Sequence, residues 1–104
     1  MAEPTPASFA RQGPGRAAVS GALSFATVGG LLTPGAEFIR GGEADCIDLS
    51  GVQGADSAGL ALLIEWLSLA RLAGRPLRYD NVPAQLLQIA TLCEVEPLLT
   101  GKDG

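Results

Sequence analysis

The longest hydrophobic pattern in the chain lies in residues 54–74, GADSAGLALLIEWLSLARLAG. It predicts a helix over 57–73, with Gly74 at the position where a left-handed residue commonly ends a helix. At roughly 100° per residue, apolar side chains lie on both sides of this helix. The first stripe, which we expect to face a sheet, contains Leu60, Leu63, Ile64, Leu67 and Ala70. The second stripe contains Leu62, Trp66, Leu69 and Ala73, with Leu72 beside them.

The second stripe is unusual, because an ordinary surface helix carries one apolar stripe and one polar face. One interpretation is that a neighbouring helix of the same domain covers it. The other is a protein–protein site in which Trp66, the only tryptophan, contributes most of the binding energy. A chain this small offers few helices for covering, which favours a partner-binding role for Leu62 and Trp66. The pattern leaves both interpretations open.

The first half of the chain predicts two short strands and an interrupted helix. Residues 8–21, SFARQGPGRAAVSG, are typical of a strand, a Gly-Pro-Gly turn at 13–15 and a second strand over 16–20. Residues 23–42 have a partly helical spacing, but two Gly- or Pro-containing pairs interrupt it, at 29–30 and 34–35. We therefore expect a broken or short helix there.

The second half alternates strands and helices. Residues 44–51, ADCIDLSG, predict a central strand, followed by a loop over 51–55. Residues 75–81 predict another short strand, and a last helix starts near Pro83 with Asn81 as its cap. The apolar stripe of that helix comprises Leu86, Ile89, Ala90 and Cys93. The order of elements predicts an α/β domain with helices on one face of a small sheet.

The start of the long helix carries the most informative residues. Asp56 or Ser57 can cap it by accepting a backbone N–H of the first turn. Ala58 and Gly59 leave that turn with little side-chain bulk, so another surface can approach the backbone there. A phosphate on Ser57 would meet a favourable helix dipole, although the neighbouring Asp56 would oppose it. We therefore treat residues 56–59 as a candidate partner-binding site and Ser57 as a candidate phosphorylation site.

Composition and charge restrict the functions that are open to the chain. It has 104 residues, the size of one domain, with 47% hydrophobic and 17% charged residues. A net charge of −4 and only seven Lys plus Arg disfavour nucleic acid and anionic lipid as partners. No apolar run approaches the about 20 residues that span a bilayer, and the N-terminus does not resemble a secretory signal. We expect a cytoplasmic protein without direct membrane insertion.

The residues for catalysis or metal binding are scarce. There is no histidine, and the two cysteines, Cys46 and Cys93, lie in apolar stretches where buried thiols are expected. A zinc site is therefore not expected, and the glycines form no phosphate-binding pattern with a lysine. Ser57 lacks a base that would activate it as a nucleophile. We predict no catalytic residue, metal or cofactor.

These residues together resemble a STAS domain, the fold of the anti-sigma-factor antagonists. The resemblance rests on a strand that ends in Ile-Asp-Leu-Ser, then Val, then Asp-Ser-x-Gly-Leu at the start of a long helix, and it covers roughly 16–99. It implies a STAS-type small mixed β-sheet with helices packed on one face, and partner binding through the Asp56–Ser57 loop without enzymatic activity. We accordingly expect a disordered segment over 1–7, one domain over 8–99 and a tail over 100–104.

Two branches of this family differ in their partner. The run GLALLIEWLSLARLAG and the single-domain length look closer to the MlaB-like subunit of a phospholipid ABC transporter that maintains outer-membrane lipid asymmetry. That resemblance implies binding to the ATPase subunit and a location peripheral to the inner membrane through this partner. The alternative is an anti-sigma-factor antagonist, whose serine, here Ser57, is phosphorylated by an anti-sigma factor kinase. A weak homodimer through exposed leucines also remains open.

Overall fold

The computed structural model describes residues 7–100, in which a four-stranded mixed sheet packs against helices. The predicted α/β class is confirmed. The predicted terminal segments, 1–7 and 100–104, lie outside the described residues except for Ala7 and Thr100. The elements are β1 (Ser8–Gly13), β2 (Arg16–Leu23), α1 (Val28–Arg40), β3 (Cys46–Ala55), α2 (Ser57–Leu72), β4 (Arg78–Asp80), α3 (Ala84–Leu92) and α4 (Glu96–Thr100).

The sheet has the strand order β1-β2-β3-β4. β1 pairs antiparallel with β2 through the turn at 13–15, whereas β2–β3 and β3–β4 are parallel pairs. Along β2 the residues Ala17, Val19, Gly21 and Leu23 are buried, while Ala18, Ser20 and Ala22 between them are half-buried. Because successive side chains of a strand point to opposite faces, this alternation shows that one face carries the core and the other is more open to solvent.

Helix α2 crosses the covered face and confirms the predicted helix almost to the residue. Its first stripe packs into the core, where Leu60, Leu63 and Ala70 are buried. The Tyr79 hydroxyl donates to the Leu63 carbonyl at 2.6 Å, which ties α2 to β4. At the C-terminus Gly74 has φ +80° and donates to the Arg71 carbonyl, so the helix ends in the left-handed turn that its glycine predicts.

Helix α1 is continuous over thirteen residues, and the prediction of a broken or short helix was wrong. Its sequence contains Gly29, Gly30, Pro34 and Gly35, all unfavourable in a helix interior. Tertiary packing overrides this local preference, because the helix buries apolar side chains against α2 and the sheet. The buried residues of α1 are Leu31, Gly35, Phe38 and Ile39.

Several smaller predictions also need correction. β3 continues through 51–55, which was predicted as a loop, because β2 extends to Leu23 and pairs with it there. Asn81 does not cap α3, whose N-cap is Pro83; the Asn81 side chain instead donates to Asp48 at 2.9 Å. Cys93 is exposed rather than buried, since it lies just beyond the end of α3. The final helix α4 was not predicted.

None of the helices within residues 7–100 has the length and hydropathy that crossing a membrane requires.

Candidate functional site

The start of α2 is organised by the carboxylate of Asp56. This residue has extended backbone angles and is the N-cap, and its Oδ1 accepts the backbone N–H groups of Ala58 at 2.9 Å and Gly59 at 3.2 Å. Of the two cap candidates in the sequence, Asp56 therefore fills the role and Ser57 becomes the first helical residue. The cap satisfies backbone donors that would otherwise lack a partner at the helix end.

The second oxygen of Asp56 holds a loop that the sequence did not place at the site. Oδ2 accepts the backbone N–H of Phe25 at 3.1 Å, across 31 positions of sequence. This bond, more than the two cap bonds, lowers the pKa of Asp56 below its ordinary value, because a carboxylate that accepts N–H bonds is favoured in its charged form. One carboxylate therefore joins the β2–α1 connection to the start of α2.

Phe25 is the functional candidate that sequence reasoning missed. Its side chain is 84% exposed, although phenylalanine is among the residue types that are most often buried. Thr27 orders the loop around it: the Thr27 hydroxyl donates to the Ala22 carbonyl at 2.6 Å, and the Ser24 N–H donates to Thr27 Oγ1 at 2.9 Å. In the sequence, Phe25 is a single aromatic residue between Ser24 and Thr27. This pattern does not predict whether its side chain is buried or exposed.

The small residues after the cap have an internal use that the sequence did not suggest. Gly59 is buried, and a Cβ at this position would overlap the backbone carbonyl of Leu23. The Asp56 N–H also donates to that carbonyl, at 3.1 Å. The surface that approaches Gly59 is therefore the end of β2 in the same chain, which corrects the expectation that its missing side chain makes room for a partner. Ala58 is half-buried beside it.

Ser57 is exposed at the first position of α2, between Asp56 and the turn that Gly59 packs. Within the described residues, no hydrogen bond of the fold involves its hydroxyl, so the group is accessible to a partner or to a modifying enzyme. Another hydrogen bond holds the β3–α2 connection: the Ala55 N–H donates to the Gln85 side chain of α3 at 3.1 Å. The surface around Ser57 is thus held by hydrogen bonds from β3, α3 and the Phe25 loop.

Leu62 and Trp66 do not belong to this surface, and their assignment to a partner-binding stripe is corrected. Both side chains are buried, and Trp66 has no exposed area. The Phe9 ring of β1 contacts the indole edge-on at a centroid distance of 5.8 Å, and Gly35 of α1 lies so close that a Cβ there would overlap the indole. The alternative interpretation, that a neighbouring helix covers the second stripe, is therefore the one that the structure supports for Trp66, and Leu62 is buried in the same core.

A polar cluster lies where β2, β3 and β4 are adjacent, and its one carboxylate is paired with two arginines. Asp80 accepts from the Arg78 guanidinium at 2.8 Å and from the Cys46 thiol at 2.9 Å, and Arg16 lies 3.9 Å away. Burial, with the carboxylate as a smaller cause, raises the pKa of the Cys46 thiol. A protonated, buried thiol is a poor nucleophile, so this cluster has the character of a structural network.

The chain matches a known protein family over most of its length. The family described as "Mlab, STAS domain" matches residues 10–100, nearly the whole chain. No curated protein matches the chain. The matched range includes every residue of the surface formed by Phe25, Asp56 and Ser57.

Proposed function

The chain belongs to the family of MlaB-type STAS domains, and on this premise we propose that it is a non-enzymatic subunit that binds the ATPase of a phospholipid ABC transporter. In this role it supports the assembly and activity of the ATPase in a system that maintains outer-membrane lipid asymmetry. The protein is then cytoplasmic and reaches the inner membrane only through its partner.

The observation that carries the proposal is the double use of the Asp56 carboxylate. Its two oxygens fix the start of α2 and the Phe25 loop as one unit. The outcome is an exposed aromatic ring and an exposed hydroxyl, Phe25 and Ser57, on backbone that is already ordered before a partner arrives. Preorganised side chains lose little conformational entropy on binding, which suits a stable subunit contact.

The composition of this surface favours a protein partner over a small molecule. Aromatic residues are enriched among the side chains that dominate protein interfaces, and Phe25 can enter an apolar pocket of the ATPase subunit. In this proposal Phe25 takes the anchoring role that the sequence pattern assigned to Trp66. Asp56 lies beneath the contact as the residue that positions it.

The experiment is a binding titration of the purified chain with the ATPase subunit of such a transporter from the same organism. We expect Ser57→Glu to weaken binding at least tenfold, because it places a charge in the contact. Ser68→Glu should bind with the affinity of the wild type. Ser68 is the matched control because it is exposed on the same helix about 16 Å further along the axis. Equal binding by both variants, or no binding by the wild type, would contradict the proposal.

The exposed hydroxyl of Ser57 favours a second candidate function, an anti-sigma-factor antagonist. A phosphate there would add about −1.5 to −2 charges beside Asp56 and would repel an acidic partner surface. Mass spectrometry of the chain purified from its native cells distinguishes the two functions. Phosphate at Ser57 that changes with growth conditions supports the antagonist, and an unmodified Ser57 under all conditions supports the transporter subunit.

A further inference from the structure

Helix α1 has the weakest local basis for its conformation among the long elements of the fold. Gly29, Gly30 and Gly35 raise the conformational entropy of its unfolded form, and Pro34 removes a helical hydrogen bond from its middle. Its N-cap residue, Thr27, makes no side-chain capping bond to the helix. By contrast, α2 has a capping carboxylate and no glycine or proline beyond its first turn.

Burial of its apolar side chains holds α1 in place, and its contact with Trp66 leaves one polar group without a partner. Gly35 seats the helix directly on the indole, and Phe38 extends the contact towards Phe9 at a ring-centroid distance of 5.7 Å. Within the part of the chain that the structure describes, the indole Nε1 is the one buried side-chain nitrogen or oxygen without a hydrogen-bond partner. A buried N–H without an acceptor costs free energy. It therefore disfavours the closed state, in which α1 covers the indole.

The same helix is directly connected to the candidate site. Thr27, the N-cap of α1, uses its hydroxyl to hold the turn that contains Phe25. The Phe25 N–H in turn donates to Asp56. Because Thr27 directly precedes α1, unfolding of the first turn of the helix frees the backbone of Thr27 and weakens one of the two constraints on Phe25.

We propose that α1 opens locally while the sheet and α2 remain folded, and that this opening loosens the Phe25 loop, so that its remaining hydrogen bond to Asp56 is broken more easily. The binding surface at Phe25 is then ordered when α1 is folded and less ordered when α1 is open. The consequence of this opening for the partner rests on the proposed function, because a partner that requires an ordered Phe25 binds only the closed state and suppresses the opening.

Native-state hydrogen exchange of the free chain, followed residue by residue by NMR, tests the opening. We expect the α1 amides and the Phe25 amide to exchange faster than the core of α2 and with a common opening free energy. Gly30→Ala fills open space on α1 and should slow both groups about fivefold, the factor that corresponds to about 1 kcal/mol of helix propensity. Gly54→Ala, the same change in open space on β3, is the matched control and should not slow them relative to α2.

Two results would overturn the inference. One is an α1 that exchanges only through global unfolding, with the same free energy as α2. The other is a Phe25 amide that does not respond to Gly30→Ala while the α1 amides do.

A parallel measurement with the ATPase subunit at ten times its Kd extends the test to the partner. Exchange of α1 should then slow about tenfold, as linkage requires for a partner that binds only the closed state. Binding without this slowing contradicts the coupling. Absence of binding contradicts the proposed function alone, because the exchange of the free chain still decides whether α1 opens.

Discussion

The start and the middle of α2 have different environments in the fold. Both were predicted to contact a partner, one through residues 56–59 and the other through Leu62 and Trp66. In the structure the middle of the helix is covered by α1 and β1, whereas Ser57 remains exposed next to the Phe25 loop. The apolar character of a helix face therefore does not by itself make it a binding surface, because another element of the same chain can cover it.

This comparison separates residues that act on stability from residues that act on binding. Trp66 fills the space between α2 and the elements α1 and β1. Its removal should therefore lower the stability of the fold rather than act directly on partner binding. Phe25 and Ser57 contribute little to the core and should act in the opposite way. Gly59 and Asp56 lie between these extremes, since they hold the exposed surface by contacts within the chain.

The largest expected effect is that of Trp66→Ala. Removing a completely buried indole should lower the free energy of unfolding by about 3–5 kcal/mol, because it leaves a cavity between α1, α2 and β1. Denaturant titration measures the loss. Trp66→Phe is the control: it retains an aromatic ring and removes the unpartnered N–H, so it should cost clearly less. A wild-type-like Trp66→Ala would place the indole outside the core.

Gly59→Ala should have the next largest effect. The added Cβ overlaps the Leu23 carbonyl, and because backbone has to shift we expect a loss of about 1–3 kcal/mol in the free energy of unfolding. Gly54→Ala, on the strand just before α2, introduces the same methyl group into open space and should leave stability nearly unchanged. Equal melting temperatures for both variants would show that the start of α2 is not pinned to β2.

Asp56→Ala removes the cap and the tie to Phe25, and it should lower the free energy of unfolding by about 1 kcal/mol at neutral pH. The folded pKa of Asp56 is lowered, so its contribution is present above the unfolded pKa of about 3.9 and is lost as the pH falls through the folded pKa. Urea titrations between neutral and acidic pH should therefore show a difference between wild type and variant that shrinks in acid. If the difference in free energy of unfolding between wild type and variant does not change with pH, the charge of Asp56 does not contribute to stability.

Phe25→Ala should have the smallest effect on stability, within about 0.5 kcal/mol, because its ring is exposed. The same change should weaken binding of the ATPase subunit at least tenfold, which a titration with the purified subunit measures. Leu72→Ala is the control, since Leu72 is 82% exposed near the opposite end of α2 and should not alter binding. If the two variants bind equally, Phe25 is not an anchor.

The α/β class, the long helix α2 and the cap at its start could be predicted from the sequence, whereas the continuity of α1, the length of β3 and the presence of α4 could not. Periodicity predicted α2 with its glycine end, the alternation of strands and helices predicted the α/β class, and the Asp-Ser-x-Gly pattern indicated the family. These features are local or follow from the order of elements, so they can be derived without knowing which residues meet in space.

The three-dimensional packing was needed to learn which apolar residues are covered and which residue lies near Ser57. α1 forms despite its glycines and proline because Leu31, Phe38 and Ile39 are buried, and its packing turns Trp66 from a candidate anchor into core. Phe25 joins the site through a hydrogen bond across 31 positions. Contacts between distant segments arise from the packing of whole elements, and a one-dimensional pattern does not contain their geometry.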